Sequence, residues 1–86
     1  MTKLQDELEV WGRKVPAAEA KTSGEIGLLH GQLSGRLLYA IEKSATNIPH
    51  NRHKAALDAA AFVRDASTLL HDLTAAWIAA RDRENG

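Results

Sequence analysis

The chain has 86 residues, enough for one domain over residues 1–86, and eleven basic residues balance eleven acidic ones. A protein that coats duplex nucleic acid carries a basic excess, so we expect no duplex binding. The absence of cysteine excludes disulfides, Cys-based zinc sites and thiol nucleophiles. No apolar run approaches the length of a bilayer span, and the N-terminus lacks an apolar signal segment. We therefore expect a cytoplasmic protein without a membrane partner.

A short amphipathic helix is predicted over residues 2–14, followed by a linker over residues 15–22. Thr2 is placed to cap the helix, and Pro16 is expected to stop it. The apolar positions recur at steps of four, three and four, which is the spacing of one helix face: Leu4, Leu8, Trp11 and Val15.

The second predicted helix covers residues 23–46, with Ser23 as its N-cap. Its apolar arc holds Ile26, Leu29, Leu33, Leu37, Ala40, Ile41 and Ser44. Gly27, Gly31 and Gly35 flank this arc beside Leu38, and each interior glycine costs roughly 1 kcal/mol relative to alanine. Three explanations are open: tight packing on the third helix, a symmetric contact between copies, or a ligand lying on the exposed backbone.

A long third helix is predicted over residues 50–83, after a turn at 47–49. Small and apolar residues follow heptad spacing along it: Ala56, Ala59, Val63, Ala66, Leu70, Leu73, Trp77 and Ala80. Because the connection is short, the two long helices are expected to form an antiparallel hairpin. The third helix outlasts the second, so Trp77 needs cover from the first helix or from another chain.

These features predict an all-α fold, a short N-terminal helix followed by a long antiparallel helical hairpin. So small a chain is marginal alone, and we expect it to form homo-oligomers with itself as partner. The residues expected at the contact between copies are Gly27, Gly31, Gly35, Leu38 and Trp77.

A cluster of basic residues stands at the start of the third predicted helix. His50, Arg52 and His53 lie there with Lys54, and two interpretations are open: a solvated basic turn, or a phosphate site where free backbone amides and positive charge converge. Two histidines need a third ligand to hold a transition metal, and none is near, so we expect no metal and no cofactor. His30 is placed opposite His71, as an imidazole pair or as a hydrogen-bonded histidine at the core edge. No catalytic residues are identified, and we expect the protein not to be an enzyme.

The segment Ser23–His30, the turn and Arg52 before a long Ala-rich helix together resemble the helical-hairpin domain of phage anti-defence sponges. Those proteins sequester the cyclic nucleotide signals of bacterial CBASS and Thoeris immunity. The resemblance implies a homo-oligomer with nucleotide pockets between protomers. It also implies that Lys21, Thr22 and Arg52 face the phosphates, although the family's Gly-Tyr-Arg-like segment is replaced here by Ala-Lys-Thr-Ser.

Two functions are therefore predicted. The first is a non-catalytic binding protein, a phage anti-defence sponge that captures a cyclic nucleotide between protomers. The alternative is a small helical interaction module, an inhibitor, adaptor or antitoxin-like protein, that acts on a host protein partner through the glycine flank or the Trp77 end.

Overall fold

Three α-helices of increasing length form the part of the chain that can be described. The computed structural model describes residues 3–86 and contains α1 (Lys3–Ala17), a 3-10 turn (Ala18–Ala20), α2 (Ser23–Asn47) and α3 (His53–Asn85), with no strand in that range. The all-α prediction is confirmed. The predicted start of the first helix at Thr2 lies outside the described residues. The molecule measures 53 × 21 × 15 Å, because the 33 residues of α3 span its length.

The first helix runs further than its sequence predicts. Pro16 lies inside α1, which ends at Ala17 rather than at residue 14, and the 3-10 turn continues to Ala20. A proline in the last helical turn removes only one backbone hydrogen bond. Trp11, Val15 and Ala18 are all buried along this stretch, so packing maintains the helical path past the proline.

Thr22, rather than Ser23, caps α2. The Thr22 hydroxyl oxygen accepts a hydrogen bond from the backbone N–H of Glu25, and Ser23 is the first residue of the helix. At the other end, α2 includes Asn47, and the connection occupies residues 48–52 instead of 47–49. The left-handed residue of the turn is Asn51, with φ of 57°. The third helix consequently begins at His53 rather than at residue 50.

Two heptad seams share one buried stripe on α3. The shared positions recur every seven residues and are at most 1% exposed: Ala59, Ala66, Leu73 and Ala80. On one side of that stripe, Phe62 is buried and Leu69 and Ala76 are partly buried, where α1 packs with Leu4, Leu8 and Val15. On the other side, Val63 and Leu70 are half-buried, and Trp77 is 40% exposed. The heptad seam predicted from the sequence included Val63, Leu70 and Trp77 on this second side, but it did not include Phe62.

The core joins all three helices, and α2 contributes a stripe of the same period. Ile26, Leu33 and Ala40 are fully buried at intervals of seven residues, and Leu37 is buried beside them. The predicted arc is wrong at Ile41, which is 48% exposed. The first part of α2 lies beside the last part of α3, since Ser23 bonds Glu84 and Gly27 lies next to Trp77. Within residues 3–86, no helix combines the length and the apolar character that a membrane crossing demands.

Candidate functional site

The glycine flank of α2 does not pack against α3 along most of its length. A Cβ atom placed on Gly31 or Gly35 would meet nothing within 4 Å outside its own helix backbone and adjacent residues. Only Gly27 has a neighbour there, since its Cβ position lies 3.9 Å from the indole nitrogen of Trp77. Tight packing within the chain therefore does not explain Gly31 and Gly35, and two explanations remain, a second copy or a ligand.

Beside this flank, α2 and α3 present one continuous surface, which we name the open face. Its α2 stripe consists of Gly27, Gly31, Ser34, Leu38, Ile41 and Ala45, and its α3 stripe consists of Ala60, Val63, Ser67, Leu70, Thr74 and Trp77. Both stripes alternate steps of four and three, which keeps their members on one helix face, and neither contains a formal charge. Because α1 packs on the opposite side of α3, the described chain leaves this face without a covering helix.

Large apolar side chains stand exposed on the open face. Leu38 is 64% exposed, Ile41 48% and Trp77 40%. Near one end, Gly27, His30, Thr74 and Trp77 line a shallow pocket of about 170 Å³. Large exposed apolar side chains that share one uncharged face are typical of a surface that binds something apolar.

The hydroxyl groups of the open face are bonded within their own helices. Ser34 donates its hydroxyl hydrogen to the carbonyl oxygen of His30, Ser67 donates to Val63, and Thr74 donates to Leu70. Each bond spans one helical turn, so the hydroxyl group turns toward the backbone and the side-chain carbon faces outward. The face therefore loses little solvation when it is covered.

Charged residues occur at the two ends of the open face. Arg81 follows Trp77 by one turn, and its guanidinium carbon lies 5.8 Å from the centre of the indole ring. Glu42 follows Leu38 by one turn at the far end of α2. The face thus carries a positive end and a negative end, with the uncharged stripes between them.

The opposite groove, between α1 and α2, is already closed by contacts within the chain. Arg36 donates to Glu7 through Nε at 2.6 Å and through Nη2 at 2.8 Å, a bidentate ion pair that joins the two helices. The hydrogen bond to Glu7 is the main reason that the pKa of Arg36 is raised, against a smaller opposing effect of desolvation. Trp11 lies at this groove and is only 6% exposed.

The predicted phosphate ligands are not brought together within one chain. His50, Arg52 and His53 are exposed around the turn, where Arg52 is the N-cap residue of α3 and makes no side-chain capping bond. Lys21 and Thr22 stand at the start of α2, a helix of 25 residues and thus about 37 Å away along its axis. There Lys21 lies 3.7 Å from Glu25, which Thr22 also bonds.

The histidines do not form the pair that the sequence allowed. His30 is half-buried and its Nδ1 lies 3.5 Å from the Ser34 hydroxyl, as expected for a histidine at the core edge. His71 is exposed, and its Nδ1 lies 3.2 Å from Asp72. Among residues 3–86, no group of three or more His, Cys, Asp or Glu side chains is arranged to hold a metal ion.

The end of α3 carries contacts that sequence reasoning missed. The predicted third helix ends at residue 83, yet α3 continues past it and the Glu84 carboxylate accepts hydrogen bonds from the hydroxyl and the backbone N–H of Ser23. These bonds hold the pKa of Glu84 below its usual range, with a smaller contribution from the nearby arginines Arg81 and Arg83. Arg83 also donates to the carbonyl oxygens of Glu19 and Lys21. No local signal marks these partners, because more than 60 residues separate them.

No protein-family model matches this chain, and no curated protein and no solved structure is significantly similar to it.

Proposed function

We propose that this chain is a non-catalytic interaction protein, in which α2 and α3 form an antiparallel hairpin whose open face binds a protein helix. The observation that carries the proposal is the exposure of Leu38, Ile41 and Trp77 on one uncharged face. Apolar side chains that are exposed to water are unfavourable. Covering them with a partner gains about 25 cal/mol of free energy per Å² of apolar surface buried.

The spacing of the face favours a helical partner over an extended strand or a small molecule. Both stripes alternate steps of four and three, which is the spacing of helices that pack knobs into holes. The spaces between their side chains therefore fit the side chains of a third helix. Gly31, Ser34 and Ala60 leave room for side chains from that helix, while Leu38 and Trp77 supply knobs of their own. Because the hydroxyl groups are bonded within the chain, the partner needs no polar groups to match them.

A site-specific photo-crosslinker tests this proposal in cells that express the chain. Placed at Leu38, it should give a discrete protein adduct, whether with another protein or with a second copy. Placed at Leu28, which is equally exposed at 65% against 64% but lies off the stripe, it should give none. Absence of any discrete adduct at Leu38, or equal adducts at both positions, would overturn the proposal.

A second candidate function is the capture of an anionic ligand, such as a cyclic nucleotide, by the turn before α3. It is supported by one observation: Arg52, His50 and His53 surround a helix N-terminus that has neither a capping side chain nor an acidic residue in its first turn. A sponge of the kind that the sequence resembles would use Arg52 as a phosphate contact, together with Lys21 and Thr22. Lys21 and Thr22 lie at the start of α2, far from this turn. They would contact the same ligand only if they came from a second copy of the chain.

A thermal-shift screen with cyclic di- and trinucleotides tests this second candidate. A ligand at one hundred times its Kd stabilises the folded state by about 2.7 kcal/mol, which raises the melting temperature by several degrees. Arg52→Ala should abolish that rise. Arg64→Ala is the matched control, because Arg64 is an exposed arginine that pairs with Asp65 away from the turn. No rise with any of these ligands would reject this candidate and leave the first proposal untouched.

A further inference from the structure

We infer that the helix bound by the open face belongs to a second copy of this chain. Two copies related by a two-fold axis place their open faces together, so that four long helices surround a shared core and each α1 lies outside. This inference rests on the proposed function, since it names the partner of the same face. Three independent properties of the chain support it.

The first property is the surface area. A folded monomer of 9.4 kDa exposes about 5,000 Å² by the scaling of area with mass, whereas this chain exposes 5708 Å². The excess of about 700 Å² is close to the roughly 800 Å² that each partner buries in a stable interface of standard size. One additional contact with a copy of the same size therefore restores the burial expected for a stable protein.

The second property is self-complementary shape. Each open face carries protruding side chains, Leu38, Ile41 and Trp77, and also low positions where the side chain is small or absent, such as Gly31 and Ala60. In a two-fold interface the same patch meets itself, so each protrusion must find a low position on an identical surface. This face supplies both kinds, and heptad spacing on both helices keeps them in register.

The third property is the charge at the two ends. Since Gly27 lies next to Trp77 and Ser23 next to Glu84, Arg81 stands level with the first turns of α2, whereas Glu42 stands near the end of α2. The midpoint between these levels falls in the Gly31–Gly35 segment of α2. A two-fold axis there reverses the second copy and brings its Glu42 toward Arg81 of the first. Two such pairs form, one at each end.

Sedimentation equilibrium of the purified full chain tests the inference. The unmodified protein should sediment at about twice 9.4 kDa and dissociate only on strong dilution. Leu38→Glu should sediment as a monomer, because two buried carboxylates would face apolar side chains. Leu28→Glu should remain dimeric, since that side chain points away from the face. A 9.4 kDa species at every concentration, or equal dissociation by both variants, would overturn the inference.

Charge reversal at the ends adds a test that does not depend on the core. Glu42→Arg alone and Arg81→Glu alone should each weaken the dimer by placing like charges together, and the double variant should restore it. If the double variant weakens the dimer by the sum of the two single effects, the two-fold arrangement is contradicted.

The crosslinking and sedimentation results together distinguish this inference from the proposed function. A monomeric protein whose Leu38 position still crosslinks to a different protein would reject self-association while supporting the proposed function. A dimer whose Leu38 position gives no adduct would reject both.

Discussion

The Glu84 carboxylate accepts one hydrogen bond of 2.6 Å from the Ser23 hydroxyl and another of 2.8 Å from the Ser23 backbone N–H. It therefore fixes the end of α3 to the start of α2, where the helix dipole also favours a negative charge. This contact joins the two ends of the long helices that lie furthest from their connecting turn. It explains why the last turn of α3 is ordered rather than frayed.

The ionised form of Glu84 should stabilise the fold in a pH-dependent way. Its pKa is lowered in the folded chain by the bonds from Ser23, so its contribution is present above its ordinary pKa near 4.5 and is lost as the pH falls through the lower folded value. Glu84→Gln should lower the melting temperature at pH 7 by a few degrees and should flatten its decline in acid. Glu9→Gln, an exposed change in α1, is the control. Equal pH profiles for the unmodified chain and Glu84→Gln would contradict the assignment.

The ion pair between Glu7 and Arg36 should contribute a small, salt-sensitive coupling between α1 and α2. Both side chains are partly exposed, at 29% and 40%, so solvent screens the pair despite its bidentate geometry. A double-mutant cycle with Glu7→Gln and Arg36→Gln, measured by urea denaturation, should give a coupling of about 0.5–1 kcal/mol. The coupling energy should decrease in high salt. A coupling energy of zero at low salt would show that the ion pair does not form in solution.

The two tryptophans should differ strongly in their effect on the stability of the single chain. Trp11 is 6% exposed in the core, whereas Trp77 is 40% exposed on the open face. Under dilute conditions, Trp11→Ala should lower the free energy of unfolding by about 3 kcal/mol or more, and Trp77→Ala by clearly less. Denaturation curves of the two variants at the same low concentration provide the comparison, and equal losses would show that α1 does not pack as described.

Gly31 should be replaceable by alanine without harm to the isolated protomer. Nothing outside its own helix backbone and adjacent residues lies within 4 Å of the Cβ position, and alanine favours a helix by about 1 kcal/mol over glycine. At a concentration where the chain is monomeric, Gly31→Ala should therefore raise the free energy of unfolding by up to that amount. At high concentration the gain should shrink or reverse, because in the proposed dimer the added methyl group fills a low position that receives a side chain of the second copy. An equal gain at both concentrations would place Gly31 outside the contact between copies.

The helical class could be read from the sequence because it depends on local spacing. Ala59, Ala66 and Leu73 recur at the heptad period, and Thr22, one residue from the predicted cap, opens α2. Element ends were less accurate, since packing carries α1 past Pro16. Phe62 was missed because its burial depends on where α1 lies, which no local pattern specifies.

One disagreement between sequence and structure has its physical cause on the open face. Ile41 belongs to the predicted apolar arc of α2, yet it is 48% exposed, and it lies on the same face as Trp77, which was expected to need cover from another element. In the proposed dimer, this periodicity encodes the additional layer of packing that a second copy provides. The Ser23–Glu84 contact was also beyond sequence reasoning, because 61 residues separate the partners and either side chain alone is unremarkable on a helix.

Tryptophan emission from a Trp11→Phe chain tests most directly whether a second copy covers the open face, because Trp77 is then the sole tryptophan. A dimer joined through its open faces should emit at short wavelength in concentrated protein, where the partner excludes water from the indole, and the emission should shift to long wavelength as dilution separates the copies. An emission maximum that stays at long wavelength at every concentration would contradict it.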